Sequence, residues 1–245
     1  FMLIKLYYII TILALPFIKG FVWLRILMKK EDPNRYKEKF AQNLAKFPLT
    51  EAELIGNKNP AQARPVWFHA VSVGELKSII PFAQYLAKKH KILITSGTVT
   101  AAEVCRQANI PNSLHQFAPL DSPIIVKKFL AHFSPKLAVF IDSELWPNLI
   151  CQTSQQCKIV LLNARMSDKS YPRWLNFRKS IQTILNKFTL IFPCSHQDYF
   201  RYATLLAGRD IKDPDGSKQS GKGKVLLAKT AVEATILSHV SSKLH

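Results

Sequence analysis

Six short apolar segments recur along the chain, and a different pattern separates them. The segments lie at residues 65–70, 92–95, 115–118, 137–141, 159–162 and 190–192. Between them, stretches such as 75–89 and 122–132 place apolar side chains at helical spacing. Strands that alternate with helices form βαβ units, so the pattern predicts an α/β domain of Rossmann-like type with a parallel sheet. In such a sheet, ligands bind beyond the carboxyl ends of the strands.

The N-terminal segment, residues 2–28, is strongly apolar. Its unbroken apolar run, residues 6–18, falls short of the roughly 20 residues that span a bilayer. A second run, 21–24, follows Lys19, so the segment either crosses a membrane or lies along its surface as an anchor. A buried core helix is the alternative. The basic residues that follow favour a cytoplasmic position for the rest of the chain.

The chain carries a large basic surplus. It has 34 Lys and Arg against 16 Asp and Glu, a net charge of +18. This surplus favours nucleic acid or an anionic membrane as a partner. Because the sequence has no zinc-finger, RNA-binding or basic-zipper signature, we expect a membrane and no nucleic acid. The four cysteines lack the spacing of a zinc site, so we expect ordinary thiols, no metal and no cofactor.

The first candidate loop, HAVSVGELKS (69–78), follows the first strand and opens a helix. We expect Gly74 to allow a tight turn, which puts Glu75 in the first helical turn. A carboxylate there is stabilised by the helix dipole and faces the ligand edge of the sheet, as a general base requires. The alternative is that Glu75 only complements the dipole.

A second acidic pair follows the fourth strand, in FIDSELWPNLI (140–150). Asp142 and Glu144 lie at the end of a very apolar segment, where burial is unfavourable unless a carboxylate is paired or functional. Since Glu75 and Glu144 both follow strands of one sheet, we expect them to face one cleft. A salt-bridged structural role for Glu144 is the alternative.

Two further loops carry candidate phosphate-binding groups. TSGTVTAAE (95–103) places hydroxyl groups, including Ser96 and Thr98, at a helix start, where they hold a phosphate or sugar oxygen or only cap the helix. NARMSDKSYPRW (163–174) sets Arg165, Lys169 and Arg173 after another strand. That basic loop suits phosphate contact, although a solvated surface loop has the same composition.

Two motifs in the C-terminal tail are rejected. GSKQSGKG (216–223) has the spacing of a phosphate-binding loop, but Gly223 replaces the hydroxyl residue that ligates magnesium and no strand precedes it. Asp213 and Asp215 form an acidic pair of the kind that binds a metal in some glycosyltransferases, yet they lie in a polar segment rather than at a strand end.

Taken together, five segments resemble the 3-deoxy-D-manno-octulosonic acid (Kdo) transferases of lipopolysaccharide synthesis. They are, in order, HAVSVGE, TSGTVTA, HQFAPLDSP, FIDSELWPNLI and LLNARMSDKSYPRW, and the resemblance spans about residues 2–205. It implies a GT-B fold of two Rossmann-like domains, the first of which binds the lipid A precursor lipid IVA. It also implies an N-terminal membrane-anchor helix on the cytoplasmic side of the cell inner membrane and CMP-Kdo as the donor.

The resemblance also implies roles for individual residues. Glu75 occupies the position of the general base, which deprotonates the acceptor hydroxyl before it attacks Kdo with inversion and without a metal. Glu144 occupies the position of an acidic residue that supports the transition state. The expected contacts to the acceptor or its phosphates are Ser72, Gly74, Ser96, Thr98 and Arg165.

The resemblance ends near residue 205, because residues 211–225 do not match the GNLKxD-like segment expected there. We therefore predict an anchor (1–28), a basic amphipathic connector (29–64), a Rossmann-like acceptor-binding domain (65–207) and a divergent tail (208–245), with the C-terminal GT-B domain missing. This chain alone is expected to be inactive. Two alternatives stay open: a non-catalytic, membrane-associated lipid A-binding remnant, and a split enzyme that needs a separate donor-domain chain.

Overall fold

A computed structural model describes residues 2–47 and 64–207 of the chain. The predicted loop at 56–64, apart from Arg64, and the tail at 208–245 with its two rejected motifs lie outside the described residues. The helices are α1 (Met2–Leu13), α2 (Leu15–Leu27), a 3-10 helix (Tyr36–Phe40), α3 (Val73–Ala87), α4 (Val99–Gln107), α5 (Pro123–Phe133), α6 (Pro147–Thr153), α7 (Ser170–Asn176), α8 (Arg178–Leu185) and α9 (His196–Ala207).

The predicted strands are confirmed, and they form one parallel sheet. The strands are β1 (Val66–His69), β2 (Ile92–Ser96), β3 (Ser113–Phe117), β4 (Leu137–Ile141), β5 (Lys158–Ala164) and β6 (Leu190–Pro193). They lie in the order β3-β2-β1-β4-β5-β6, and every neighbouring pair is parallel. This is the doubly wound arrangement of a Rossmann-like domain, as the sequence predicts.

Alternation of side chains along the strands produces two separate cores. On one face, residues such as Phe68 and Ile94 pack with Leu76 of α3. On the other face, Trp67 and Phe140 pack with residues of α5, α6 and α8. Successive strand residues point to opposite faces, so strands covered on both sides read as continuous apolar runs rather than as alternating patterns.

The order of the strands reverses between β1 and β4. From this pair, the chain adds β2 and β3 on one side and β5 and β6 on the other. In open α/β sheets the crevice at such a switch point, outside the carboxyl ends of the strands, is the usual ligand site. The residues that follow β1 and β4, which include Glu75 and Glu144, therefore flank this crevice.

The two N-terminal helices both contact the domain and expose apolar surface. α1 contacts α5, α6 and α8, and Val22 of α2 is buried against Phe40 and Ile125. Within residues 2–47 and 64–207, no single helix is both long and apolar enough to span a bilayer; by length and composition, Leu3–Leu13 and Leu15–Leu27 meet that test only as a pair, bent by 58°.

A buried ion pair ties the connector to the sheet. The Lys39 ammonium lies 2.5 Å from a Glu31 carboxylate oxygen and donates a hydrogen bond of 3.1 Å to the Gly97 carbonyl oxygen. Arg35 donates to Glu38 and to the His115 carbonyl oxygen on β3. The helix predicted within residues 31–40 is observed as the short 3-10 helix, and it closes the β3 edge of the sheet.

Candidate functional site

The Glu75 side chain is held by the loop that precedes its own helix. One carboxylate oxygen accepts a hydrogen bond of 2.8 Å from the Val71 amide, and the other accepts one of 2.7 Å from the Ser72 hydroxyl. In return, the Ser72 oxygen accepts a hydrogen bond of 3.3 Å from the Glu75 amide. This reciprocal pairing is a variant of a capping box, in which the carboxylate accepts from the Val71 amide and not from the amide of the N-cap residue Ser72. The helix-stabilising contact and a carboxylate fixed at the ligand edge therefore coexist in Glu75.

Gly74 lies inside the first turn of α3 and not in a tight turn. Its φ is not positive, and an added Cβ would meet only the Ser72 oxygen, at 4.0 Å. The turn expected at this glycine is therefore absent, because Ser72, with an extended backbone, makes the turn as the N-cap residue. Gly74 leaves an open surface next to Glu75.

Glu144 lies between β4 and α6, and it is half-buried. The Trp146 indole N–H donates a short hydrogen bond to its carboxylate. Burial raises the pKa of the Glu144 carboxyl above its ordinary value, the Trp146 hydrogen bond opposes that rise, and the charges of Glu75 and Asp142 add to it. The interaction with Glu75 supports the expectation that the two carboxylates lie near one another.

Asp142, the first residue after β4, adopts a left-handed backbone conformation. Its φ is 61°, and its amide donates a hydrogen bond of 3.0 Å to the Leu162 carbonyl oxygen on β5. Aspartate tolerates this conformation better than most residues, and such backbone strain is common at functional sites. Burial raises the pKa of the Asp142 carboxyl, and the nearby Arg165 guanidinium opposes that rise.

A cleft of about 860 Å³ opens at the ends of β4, β5 and β6. Of the seven predicted site residues, Glu144 and Arg165 line it, while Glu75 lies close enough to interact electrostatically with Glu144. The Arg165 carbonyl oxygen accepts a hydrogen bond of 3.1 Å from the Tyr202 hydroxyl. The Arg165 side chain is exposed, and its guanidinium makes no hydrogen bond or ion pair within the described part of the chain. Its five N–H donors are therefore free for a phosphate or a carboxylate.

The cleft lining is acidic even though the chain is basic. Its carboxylates are those of Asp142, Glu144, Asp168 and Asp198, against the guanidinium groups of Arg165 and Arg201. Arg201 is already engaged with Asp168 and the Met166 carbonyl oxygen. An anionic group that enters this cleft therefore finds one unengaged guanidinium, and the positive surplus of the chain lies elsewhere.

The segment that follows β6 contributes polar groups that were not predicted from the sequence. Asp198 is buried and accepts hydrogen bonds of 2.8 Å from the Met166 amide and 2.6 Å from the Ser195 hydroxyl. Ser195 and Asp198 have the Ser-x-x-acid spacing of a capping box after a strand. That spacing was the signal available in the sequence. The Trp146 and Trp174 rings also line the cleft and suit contact with a sugar ring.

Ser96 and Thr98 make local contacts on the other side of the switch point. Ser96 is fully buried, and its hydroxyl lies 2.9 Å from the His115 Nε2 atom, so it presents no surface to a ligand. Thr98 is exposed and caps α4 by accepting a hydrogen bond of 3.1 Å from the Ala101 amide. Thr98 thus caps a helix, which is one of the two roles predicted for it. Contact between Thr98 and an acceptor stays a prediction.

A buried histidine occupies the end of β1, in the centre of the sheet. The His69 Nδ1 atom lies 2.9 Å from the Thr95 hydroxyl, and its Nε2 atom has no hydrogen-bond partner among the described residues. Burial lowers the pKa of His69 from 6.5 to about 3, so the imidazole is neutral at physiological pH. His69 lines a small cavity of about 210 Å³ together with Val71 and Trp146. Val71 donates to the Glu75 carboxylate and Trp146 donates to the Glu144 carboxylate.

Residues 2–47 and 64–207 contain no group of three or more His, Cys, Asp or Glu side chains arranged to hold a metal ion. The four cysteines, all of them in this part of the chain, are unpaired. The carboxylates of this site can transfer protons and accept hydrogen bonds, and the Arg165 guanidinium can bind an anion.

Sequence comparisons show which family the chain is similar to. A family model described as 3-deoxy-D-manno-octulosonic-acid transferase (kdotransferase) matches residues 35–214. A 3-deoxy-D-manno-octulosonic acid transferase of Rickettsia bellii is 32% identical over 206 residues, which cover 83% of this chain and 46% of that protein. A probable mitochondrial 3-deoxy-D-manno-octulosonic acid transferase of Arabidopsis thaliana is 40% identical over 159 residues, or 61% of this chain and 36% of that protein.

A Haemophilus influenzae protein of the same name is 29% identical over 183 residues, which cover 73% of this chain and 41% of that protein. The chain thus spans about half the length, or less, of the curated relatives that it matches.

Proposed function

The chain belongs to the 3-deoxy-D-manno-octulosonic acid transferase family, and from this premise we propose that it forms the acceptor side of a Kdo transfer site. The proposed reaction moves Kdo from CMP-Kdo to lipid IVA in lipopolysaccharide core synthesis. The observation that carries the proposal is the position of Glu75 and Glu144, which follow adjacent strands at the switch point of the sheet.

In the proposed reaction, Glu75 acts as the general base. An acceptor sugar hydroxyl gives its proton to the Glu75 carboxylate while its oxygen forms a bond to the anomeric carbon of Kdo. The bond from that carbon to the phosphate oxygen of CMP breaks, and CMP leaves with the electron pair. The hydrogen bonds from the Val71 amide and the Ser72 hydroxyl keep the base oriented for this transfer.

Glu144 is proposed to support the transition state from the other strand. Burial raises the pKa of its carboxyl, so it holds a proton at a higher pH than an exposed glutamate does. Held by Trp146, it is suited to hydrogen-bond with the charge that develops on the reacting groups. Arg165, which is unengaged within the described residues, is proposed to bind a phosphate of the acceptor.

The donor is proposed to bind a second domain, in a GT-B arrangement. The family relatives are about twice as long as the matched region, and the resemblance assigns the CMP-binding loops to their C-terminal half. We therefore expect these 245 residues to bind lipid IVA but to transfer Kdo only when a donor-binding half is supplied.

Binding of lipid IVA tests the acceptor role directly. Purified protein in detergent micelles is expected to bind lipid IVA saturably, and Arg165→Glu is expected to weaken binding at least about tenfold, because a charge-assisted phosphate contact is lost. Lys158→Glu, an equal charge reversal at the exposed first residue of β5, at the opposite end of that strand from the cleft, is the matched control. Equal affinity of the Arg165→Glu variant and the parent protein would contradict the assignment.

Transfer is tested by mass spectrometry of the lipid after incubation with CMP-Kdo. We expect no added mass with the 245-residue chain alone, and a gain of Kdo when the C-terminal half of a family relative is added in trans. In that mixture Glu75→Gln is expected to reduce the rate by about 10²- to 10⁴-fold, while Glu103→Gln, a control on α4 whose side chain is 45% exposed, leaves it unchanged. Kdo transfer by the chain alone would contradict the need for a second half.

We also propose that the exposed apolar faces of α1 and α2 rest on the cytoplasmic side of the inner membrane. Leu13, Phe17 and Trp23 are 68%, 81% and 63% exposed, which is unfavourable in water and favourable at a lipid interface. The basic surplus of the chain adds attraction to anionic lipids. This contact would bring the protein to its lipid acceptor.

A further inference from the structure

The first turn of α6 is capped from a distance. Its N-cap residue, Trp146, has no side-chain oxygen and makes no capping hydrogen bond of its own. Pro147, the first helical residue, has no N–H, so the amides of Asn148 and Leu149 are the ones that need an acceptor outside the helix. The next amide, of Ile150, already donates to the Trp146 carbonyl oxygen at 3.0 Å.

Asp121 supplies that acceptor for both amides. Its Oδ1 atom accepts a hydrogen bond of 2.7 Å from the Leu149 amide, and its Oδ2 atom accepts one of 3.3 Å from the Asn148 amide. The Asn148 side-chain amide also donates to the Asp121 carbonyl oxygen, at 2.8 Å. Asp121 lies in HQFAPLDSP, a family-like segment to which the proposed reaction assigns no role.

The N-terminal helix holds this arrangement from its other side. The Tyr7 hydroxyl donates a hydrogen bond of 2.9 Å to Asp121 Oδ2, and the Asn148 side-chain amide donates one of 3.0 Å to the Thr11 hydroxyl oxygen. Tyr7 and Thr11 are four residues apart, so they share one face of α1. Burial raises the pKa of the Asp121 carboxyl, while the hydrogen bonds from Leu149, Tyr7 and Asn148 oppose that rise.

We propose that Tyr7 and Asp121 are positioning residues for Glu144. Asp121 fixes the start of α6, the start of α6 fixes Trp146, and the Trp146 indole N–H fixes the Glu144 carboxylate. α1 thereby acts on the cleft through a chain of hydrogen bonds. The role of this link in catalysis rests on the proposed function of Glu144. The hydrogen bonds that form the link are independent of that function.

The NMR signal of the Trp146 indole N–H reports on this chain of hydrogen bonds in the absence of any substrate. The chain has four tryptophans, so a proton–nitrogen correlation NMR spectrum contains at most four indole N–H signals. The signal that is missing from the Trp146→Phe variant is that of Trp146. The chemical shift of the Trp146 indole signal, measured as a function of pH, follows ionisation of the Glu144 carboxyl. The charged groups that act on this carboxyl are Glu75 and Asp142. Since the indole bond favours the ionised carboxylate, a loosened Trp146 raises the titration midpoint.

We expect Tyr7→Phe to shift the Trp146 signal and to raise its midpoint by about half a pH unit, a threefold change in the protonation equilibrium. Asp121→Ala is expected to have a larger effect than Asp121→Asn, because asparagine keeps one acceptor oxygen. Tyr8→Phe removes the same hydroxyl from the neighbouring position, which is 47% exposed, and is expected to leave signal and midpoint unchanged.

Tyr7→Phe is the decisive variant if the Asp121 variants do not fold, because it removes one oxygen from a half-buried side chain. An unchanged Trp146 signal and midpoint in folded Tyr7→Phe protein would overturn the proposal. A failure of lipid IVA binding would count against the proposed function alone, since the titration uses neither lipid nor sugar nucleotide.

Discussion

At the scale of single residues, the two proposed catalytic carboxylates are held in different ways. Glu75 accepts hydrogen bonds from the Val71 amide and the Ser72 hydroxyl, both within its own loop. Glu144 depends on the Trp146 indole, whose position is set by residues far away in the sequence. Substitutions remote from the cleft are therefore expected to disturb Glu144 more than Glu75.

Among the glycines in residues 2–47 and 64–207, Gly97 is the one at which the fold leaves no room for a side chain. An added Cβ would lie 2.7 Å from Val71 Cγ1 and 3.3 Å from the Val71 carbonyl oxygen. Gly97→Ala is expected to lower the free energy of unfolding by about 1–3 kcal/mol, because the two loops must move apart. Denaturant unfolding measures the change. Gly74→Ala, in the open first turn of α3, is the control, and an equal loss in both variants would contradict this explanation.

Two histidines, the buried His69 and the half-buried His115, make the fold sensitive to acid. Burial lowers the pKa of His69 from 6.5 to about 3, and burial together with the Arg35 charge lowers that of His115 to about 3. In each case the pKa in the folded state lies below that in the unfolded state. Their contribution to stability is therefore complete above about pH 6.5 and is lost progressively as the pH falls towards 3.

This acid sensitivity is measured by following the histidine ring protons by NMR from pH 7.5 to 4 as the protein stays folded. The His69 and His115 signals are expected not to titrate in that range, since both imidazoles remain neutral. A His69 signal that titrates near the ordinary histidine pKa in folded protein would contradict the prediction.

At the scale of elements, periodic patterns in the sequence were sufficient to predict the strands and the main helices. All six strands were predicted from short apolar runs, and in β1, β2, β4 and β6 every residue is buried. The helices α3 and α5 follow from apolar residues at helical spacing. Ser96 could not be assigned in the same way. The pattern places it at a strand end, but only the fold brings its hydroxyl to His115 on the neighbouring strand.

The link through Asp121 was also beyond the sequence. Tyr7 lies 114 residues from Asp121 along the chain, and Leu149 lies 28 residues from it. No local propensity encodes contacts over such separations; they depend on the way α1, α5 and α6 pack together. The capping requirement of α6 is visible in the sequence as Trp-Pro-Asn, but its acceptor is not.

The apolar face of α2 is the element on which the membrane proposal is tested. Phe17→Asp is expected to weaken binding to anionic vesicles at least about tenfold, because burial of one large apolar side chain in the interface is lost. Vesicle co-sedimentation measures it. Phe177→Asp, at a site that is 52% exposed between α7 and α8, is the matched control. Equal losses in both variants would indicate a general charge effect instead of an anchor.

At the scale of the whole molecule, the order of the strands determines what the site can be. The sequence predicts a parallel sheet, but the pairing of β1 with β4 joins segments about 70 residues apart and is set by tertiary packing. That pairing is what brings the loops of Glu75 and Glu144 to one crevice. The expectation that they share an edge came from their positions after strands, and their adjacency came from the fold.

The charge of the molecule predicts a salt-dependent association. With a net charge of +18 and an acidic cleft, the positive surplus lies outside the proposed catalytic site. Binding to anionic vesicles is therefore expected to weaken as ionic strength rises from 0.05 to 0.5 M, as the screening length falls below about 10 Å. Neutral vesicles, bound through apolar contact alone, are expected to show little salt dependence. Equal salt dependence for both vesicle types would contradict this separation.

The two faces of α1 have a geometric consequence for how an acceptor reaches the cleft. One face is apolar and open, while Tyr7 and Thr11 on the other are bonded to the residues that start α6. If one face of α1 lies on a bilayer while the other contacts the wall of the cleft, the distance between the lipid head groups and Glu144 is fixed. Under the membrane proposal, the protein then selects lipids whose reactive hydroxyl lies at that distance from the membrane surface.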